Sequence, residues 1–115
     1  MARTTDARLL ALFLDALRNQ SRFDGYVRWE PLASDWMRNN LEAHSINELN
    51  RLLLEHVEQG AEIDQVKEQR PEFSSQYEFH YDFRLNVGEK HVYIETVLDE
   101  TPTGPELRVV NAHWK

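Results

Sequence analysis

Between Tyr77 and Val87 every second residue is apolar: Tyr77, Phe79, Tyr81, Phe83, Leu85 and Val87 alternate with Glu78, His80, Asp82, Arg84 and Asn86. An unbroken period of two over that length fits a half-buried β-strand, because successive side chains leave opposite sides of the pleat. Gly88 and Glu89 supply a turn, and Val92, Tyr93, Ile94, Glu95, Thr96 and Val97 continue the pattern as a returning strand. A two-residue turn sets Val87 opposite Lys90, Leu85 opposite Val92 and Phe83 opposite Ile94 on one side of the hairpin. On the other side Arg84 meets Tyr93, Asp82 meets Glu95 and Asn86 meets His91. The remainder of the chain must cover the apolar side.

The 115 residues suit one domain, long enough to bury a core without staples. There is no cysteine, which excludes a disulfide framework and cysteine-based zinc or redox sites and suits a reducing cytoplasm. No apolar run reaches the roughly 18 residues a bilayer-spanning helix needs, so the expectation is a soluble cytoplasmic protein that does not engage a membrane. The 20 acidic against 13 basic side chains give a net charge of -7. That field repels phosphate backbones and anionic lipid, so RNA binding is disfavoured except at a local basic patch.

Residues 1–70 read as mainly helical. Thr4, Thr5 and Asp6 offer a cap for a first helix over about 5–19, whose stripe is Leu9, Leu10, Phe13, Leu14 and Leu17. Asp24 and Gly25 mark a turn, and Tyr26, Val27 and Trp29 are candidates for a short extra strand. Pro31 suits the first turn of a second helix over about 32–42, with Trp29 and Trp36 in the core. Ser45 and Glu48 form a capping box for a third helix over about 46–59, ended by Gly60. Ile63 and Val66 lie at helical spacing and predict a further short helix over 61–69, with 71–76 a connector.

Residues 77–115 read as a β-meander with strands at 77–87, 90–98 and 106–114, and the two prolines and one glycine of 99–105 as a loop. The expected fold class is therefore α+β, with N-terminal helices packed on one face of a three-stranded antiparallel β-meander. Its core should hold Leu10, Phe13, Leu14, Leu17, Trp36, Leu49, Leu52, Leu53, Phe79, Phe83, Leu85, Val92, Ile94 and Val110. Pairing the last strand so that Ile94 meets Val110 sets Asn111 beside Tyr93 and His113 beside His91. Two imidazoles in contact should titrate together.

That register gathers Arg84, Tyr93, Glu95, His91, Asn111 and His113 on the polar side of the sheet. A His or Glu could take the proton of a ribose hydroxyl, a second His could protonate the leaving oxygen, and Arg84 could stabilise the phosphorane. His91, His113, Arg84, Glu95 and Tyr93 are thus the candidate catalytic residues of a ribonuclease. The same residues also suit an ordinary solvated sheet face, where cross-strand Arg, Tyr and Glu pairs stabilise the strands. His80, His91 and His113 come from separate strands without a metal-ligand spacing, His44 and His56 read as surface residues, and no glycine-rich phosphate loop is present, so no metal and no cofactor is expected.

The segments Glu62 to Val66, Arg70-Pro71-Glu72, Tyr77 to Asp82, Val92 to Thr96 and Val109 to His113 together resemble a family of small uncharacterised bacterial proteins, over about the C-terminal half. The layout of helices followed by a meander ending near a His is similar, more remotely, to the RelE-type messenger-RNA interferases. That likeness implies a metal-independent endoribonuclease. Those toxins are basic, whereas residues 77–115 here carry Glu78, Asp82, Glu89, Glu95, Asp99, Glu100 and Glu106 against Arg84, Lys90, Arg108 and Lys115. The sequence therefore favours a non-catalytic protein-interaction module, with a protein partner or a second copy as occupant, and keeps the ribonuclease as its alternative. Open edges of a three-stranded meander further suggest a homodimer.

Overall fold

The computed structural model describes residues 2–3, 6–18 and 26–114. The short strands β1 (Ala2–Arg3) and β2 (Val27–Trp29) flank the longer strands β3 (Ile63–Lys67), β4 (Phe79–Val87), β5 (Lys90–Thr101) and β6 (Gly104–Trp114). The helices are α1 (Ala7–Arg18), α2 (Pro31–Asn40), α3 (Ile46–Glu58) and the single turn α4 (Pro71–Ser74). The fold is α+β: five strands form a mixed sheet with the helices packed against it, and the two-residue β1 lengthens one edge, giving the order β1-β3-β4-β5-β6-β2. Among the described strands only the β2–β6 pair is parallel. No helix among the described residues is long and apolar enough to cross a membrane.

The β4–β5 hairpin has the register its alternation predicts, from Val87 opposite Lys90 to Asp82 opposite Glu95. Gly88 adopts φ 64 at the turn, where a side chain would be strained. The core lies on the Phe83–Ile94 side, where Phe13 and Leu17 of α1, Met37 of α2, and Leu49 and Leu53 of α3 are buried. Phe13 meets the edges of Tyr81 and Phe83 at 5.1 and 5.7 Å between ring centroids. Leu10, Leu14, Trp29, Trp36, Leu52 and Phe79 pack at its margin, half-buried rather than central. Trp29 donates its indole N–H to the buried Asn50 carbonyl at 2.8 Å, which satisfies both polar groups.

The helix starts follow local chemistry. Asp6 caps α1 by accepting from the Arg8 amide at 2.8 Å, while the offered caps Thr4 and Thr5 lie outside the described residues, as does the Asp24-Gly25 turn. Ser45 Oγ accepts from the Glu48 amide at 3.1 Å, and the Glu48 carboxylate turns to His44 Nδ1 at 2.6 Å. Gly60 ends α3 at φ 71.

Four expectations are corrected. Residues 61–69 do not form a helix: Ile63–Lys67 is β3, antiparallel to β4. Pairing satisfies the backbone groups along the long β4 edge, and that outweighs the helical spacing of Ile63 and Val66. The meander is therefore part of a larger sheet, with β3 on one side and the short strand at Val27–Trp29 on the other. Residues 99–105 are not a loop, since β5 runs to Thr101 and β6 begins at Gly104, with Thr101 Oγ1 donating to the Gly104 carbonyl at 2.6 Å. The last register also differs: a bulge at Glu95/Thr96 sets Ile94 opposite Ala112 and Tyr93 opposite His113. Val110 is the extra residue, and it is buried on the opposite side of the sheet in a small cluster with Tyr77 and Val97.

Candidate functional site on the polar face of the sheet

Away from the helices, the strand registers draw one transverse row of Asp64, Asp82, Glu95 and Asn111 from β3, β4, β5 and β6. Three carboxylates on adjacent strands repel unless something intervenes. The neighbouring positions provide it. Arg84 donates from Nε to Asp64 at 2.9 Å, and its guanidinium lies 5.7 Å from the Tyr93 ring. His113 Nε2 lies 3.1 Å from Glu95 Oε1, and its ring packs on Tyr93 at 5.3 Å. Arg70 reaches the other Glu95 oxygen at 3.0 Å and donates twice to Glu68, from Nε and Nη2, at 2.8 Å each.

Glu68 has no exposed side-chain surface. The hydrogen bonds from Arg70 hold its carboxyl far below the usual range, at about 2, against the opposing effect of burial. Asp82 moves the other way, from 3.8 to about 6: burial is the main cause, and Glu95 and Asp64 on either side add to it while His80 and His113 oppose it. Asp82 Oδ1 and His80 Nδ1 are both buried without a hydrogen-bond partner. His80 stands between two acids, 3.2 Å from Glu68 and 3.6 Å from Asp82, too far or too poorly aligned to satisfy either atom.

Because Asp82 binds its proton more tightly when folded, its ionisation weakens the native state as pH rises from 3.8 through about 6. Asp82→Asn should therefore be more stable than the parent at pH 8, by about 1–2 kcal/mol after allowance for the neighbouring charges. The gain should vanish near pH 4. Urea denaturation at both pH values measures it, and an equal loss at both would show that Asp82 is held by bonds to its ionised form.

Of the sequence-predicted residues, Arg84, Tyr93, Glu95 and His113 come together. His91 does not join them. The shifted β5–β6 register puts Tyr93, not His91, opposite His113, and His91 Nδ1 instead pairs with Asn86 at 2.6 Å near the hairpin tip. The imidazole contact expected to couple the two titrations is replaced by these separate partners. Sequence reasoning missed Glu68, Arg70, His80 and Asp82 as members of one group, because Glu68 and Arg70 follow a segment read as helix. The signal was the strand alternation itself, which puts His80, Asp82 and Arg84 on one face. His56, read as a surface residue, packs on Phe83 at 5.4 Å, and burial lowers its pKa.

A cleft of about 610 Å³ opens beside this group, lined by Glu68, Arg70, His80, Glu95 and Asn111, with Lys67 at its rim. Farther along the face Arg108 donates to Glu30 at 2.9 Å and to the Tyr77 hydroxyl at 2.9 Å, and Tyr77 donates to Asp99 at 2.8 Å. Asp64, Glu68, Asp82, Glu95, Asp99 and Glu30 thus outnumber Lys67, Arg70, Arg84 and Arg108, and each of the three arginines already has a carboxylate partner. Among the described residues no group of three or more His, Asp and Glu is arranged to hold a metal ion. No family model, no curated protein and no solved structure matches this chain.

Proposed function

We propose that the protein is a non-catalytic interaction module whose polar sheet face receives a basic segment of a partner protein. The observation that carries this reading is the pairing of Arg70, Arg84 and Arg108 with carboxylates, which leaves the face acidic in sum. A cationic side chain entering the cleft meets Glu95. Two copies of this face meet with like charge, so its partner is a different protein. The edge of β6 is also blunted against self-pairing, because the Ala112 amide is taken by the Asn111 side chain at 2.9 Å.

The ribonuclease reading draws support from the gathering of Arg84, Tyr93, Glu95 and His113 and from the layout of helices before a meander, similar to the RelE-type toxins. Two features weigh against it. An in-line displacement needs its base and acid on opposite sides of the phosphorus, whereas Glu95 and His113 are bonded to each other. A phosphate would also have to take a guanidinium away from a carboxylate already holding it.

Titration with a fluorescent lysine-rich peptide, beside a glutamate-rich one, tests the proposal. The lysine peptide should bind, lose affinity as salt is raised, and bind about tenfold more weakly to Glu95→Gln. Equal binding of both peptides, or an unchanged affinity in Glu95→Gln, would overturn it.

A further inference from the structure

His80 of β4 has a carboxylate oxygen at each of its ring nitrogens: Glu68 Oε2 lies 3.2 Å from Nδ1, and Asp82 Oδ1 lies 3.6 Å from Nε2. Both side chains of the β4 pair are largely covered, with 14% of the His80 surface and 15% of the Asp82 surface exposed. A neutral imidazole has one N–H and one lone pair. Whichever nitrogen keeps the proton, the other turns its lone pair on a carboxylate oxygen, and His80 Nδ1 and Asp82 Oδ1 are the buried atoms left without a hydrogen-bond partner. Glu68 does not supply the missing proton, because three hydrogen bonds from Arg70 hold its carboxylate ionised. The other carboxylates of the transverse row have their cations, Arg84 on Asp64 and Arg70 on Glu95. Asp82 has His80.

We propose that His80 is an imidazolium at neutral pH, its Nδ1–H directed to Glu68 and its Nε2–H to Asp82, so that one proton pins the end of β3 to β4 and is shed as the solution turns alkaline. The cleft wall then loses one positive charge, since His80 lines the cleft beside Arg70 and Glu95. The groups around the pair act in both directions. Lys67 and Arg70 along the cleft oppose a further cation, but Lys67 is exposed at the rim and Arg70 is neutralised by Glu68 and Glu95. Around Asp82, Asp64 and Glu95 favour retention of a proton and His113 opposes it, while burial, the largest influence, pushes its carboxyl up to about 6. An acid and a base in such contact titrate as a pair, and their attraction spreads the two proton losses apart, leaving a range of pH in which one proton is held. This device belongs to the fold and is independent of what occupies the cleft.

Nitrogen-15 spectra of the labelled protein read the ring directly, with His80→Gln identifying its signals. At pH 7 both nitrogens of His80 should carry protons, and one of these should be lost as pH is raised. Asp82→Asn, close in shape but without the charge, should move that loss to lower pH by about one unit or more. In His80→Gln the Asp82 carboxyl, followed by carbon-13, should ionise at higher pH than in the parent, because the cation that favours the carboxylate is gone. Thermal melts establish that both variants are folded. A His80 ring that is neutral at pH 7 in the parent, or titrations that neither substitution moves, would overturn the proposal.

Discussion

Replacing Phe83 by alanine is expected to lower the unfolding free energy by about 3–5 kcal/mol. The ring has no exposed surface, lies between Ile63 and Ile94 on the neighbouring strands, and meets Phe13 edge-on and His56 across the α3 interface. Removing it opens a cavity where the sheet and two helices converge, and rigid strands on both sides prevent collapse. A domain of this size has only about 5–15 kcal/mol in total, so the variant should be measurably unfolded in mild denaturant. Urea denaturation with an unchanged slope is the check. A loss below about 1 kcal/mol would mean that Phe83 is not at the centre of the core.

The second large effect concerns Glu68. Its carboxylate is fully covered, accepts two side-chain hydrogen bonds from Arg70 and a third from the Arg70 amide at 3.0 Å, and faces His80. Glu68→Gln removes the charge from a covered pair and leaves Arg70 with Glu95 alone. The cost should be about 2–3 kcal/mol, below the usual value for a broken buried pair because Arg70 is partly solvated. The sign with pH is definite. Glu68 has a folded pKa depressed to about 2 from 4.5, so its contribution is complete above 4.5 and lost as pH falls toward 2. The difference between parent and variant should therefore be constant from neutral pH to about 5 and shrink below it. A difference that persists at pH 2.5 would show that packing, not ionisation, is what Glu68 supplies.

The hairpin was legible because one physical requirement acted on it alone: alternating burial with a two-residue turn admits a single register, and Phe83, Leu85 and Val87 find their partners by counting from Gly88. The next strand lacked that simplicity. Val109 and Val110 are adjacent apolar residues buried on opposite sides, and as the extra residue of the bulge Val110 shares the side of Asn111. A chain that buries both sides of a strand hides its register. β3 was hidden for a different reason. Ile63 enters the main core while Asp64 turns to the other face, buried against Arg84, and a buried carboxylate between apolar residues does not look like a strand until its arginine is in place. That one misreading also concealed half of the site, since Glu68 and Arg70 stand at the end of β3 and are aligned with His80 and Glu95 only through its pairing with β4. Arg84, Tyr93 and Glu95 were legible because they lie on the hairpin whose register was determined, and His113 joined them although its strand sits two positions from the expected pairing.

Backbone amide NMR shifts, followed while the lysine-rich peptide is added, address the central claim directly. The account predicts changes at Asp64, Arg70, Asp82, Arg84, Glu95 and His113, with α1 and α3 undisturbed. Changes confined to the helical side, or the same amides responding to an RNA oligonucleotide that the protein then cleaves, would contradict it.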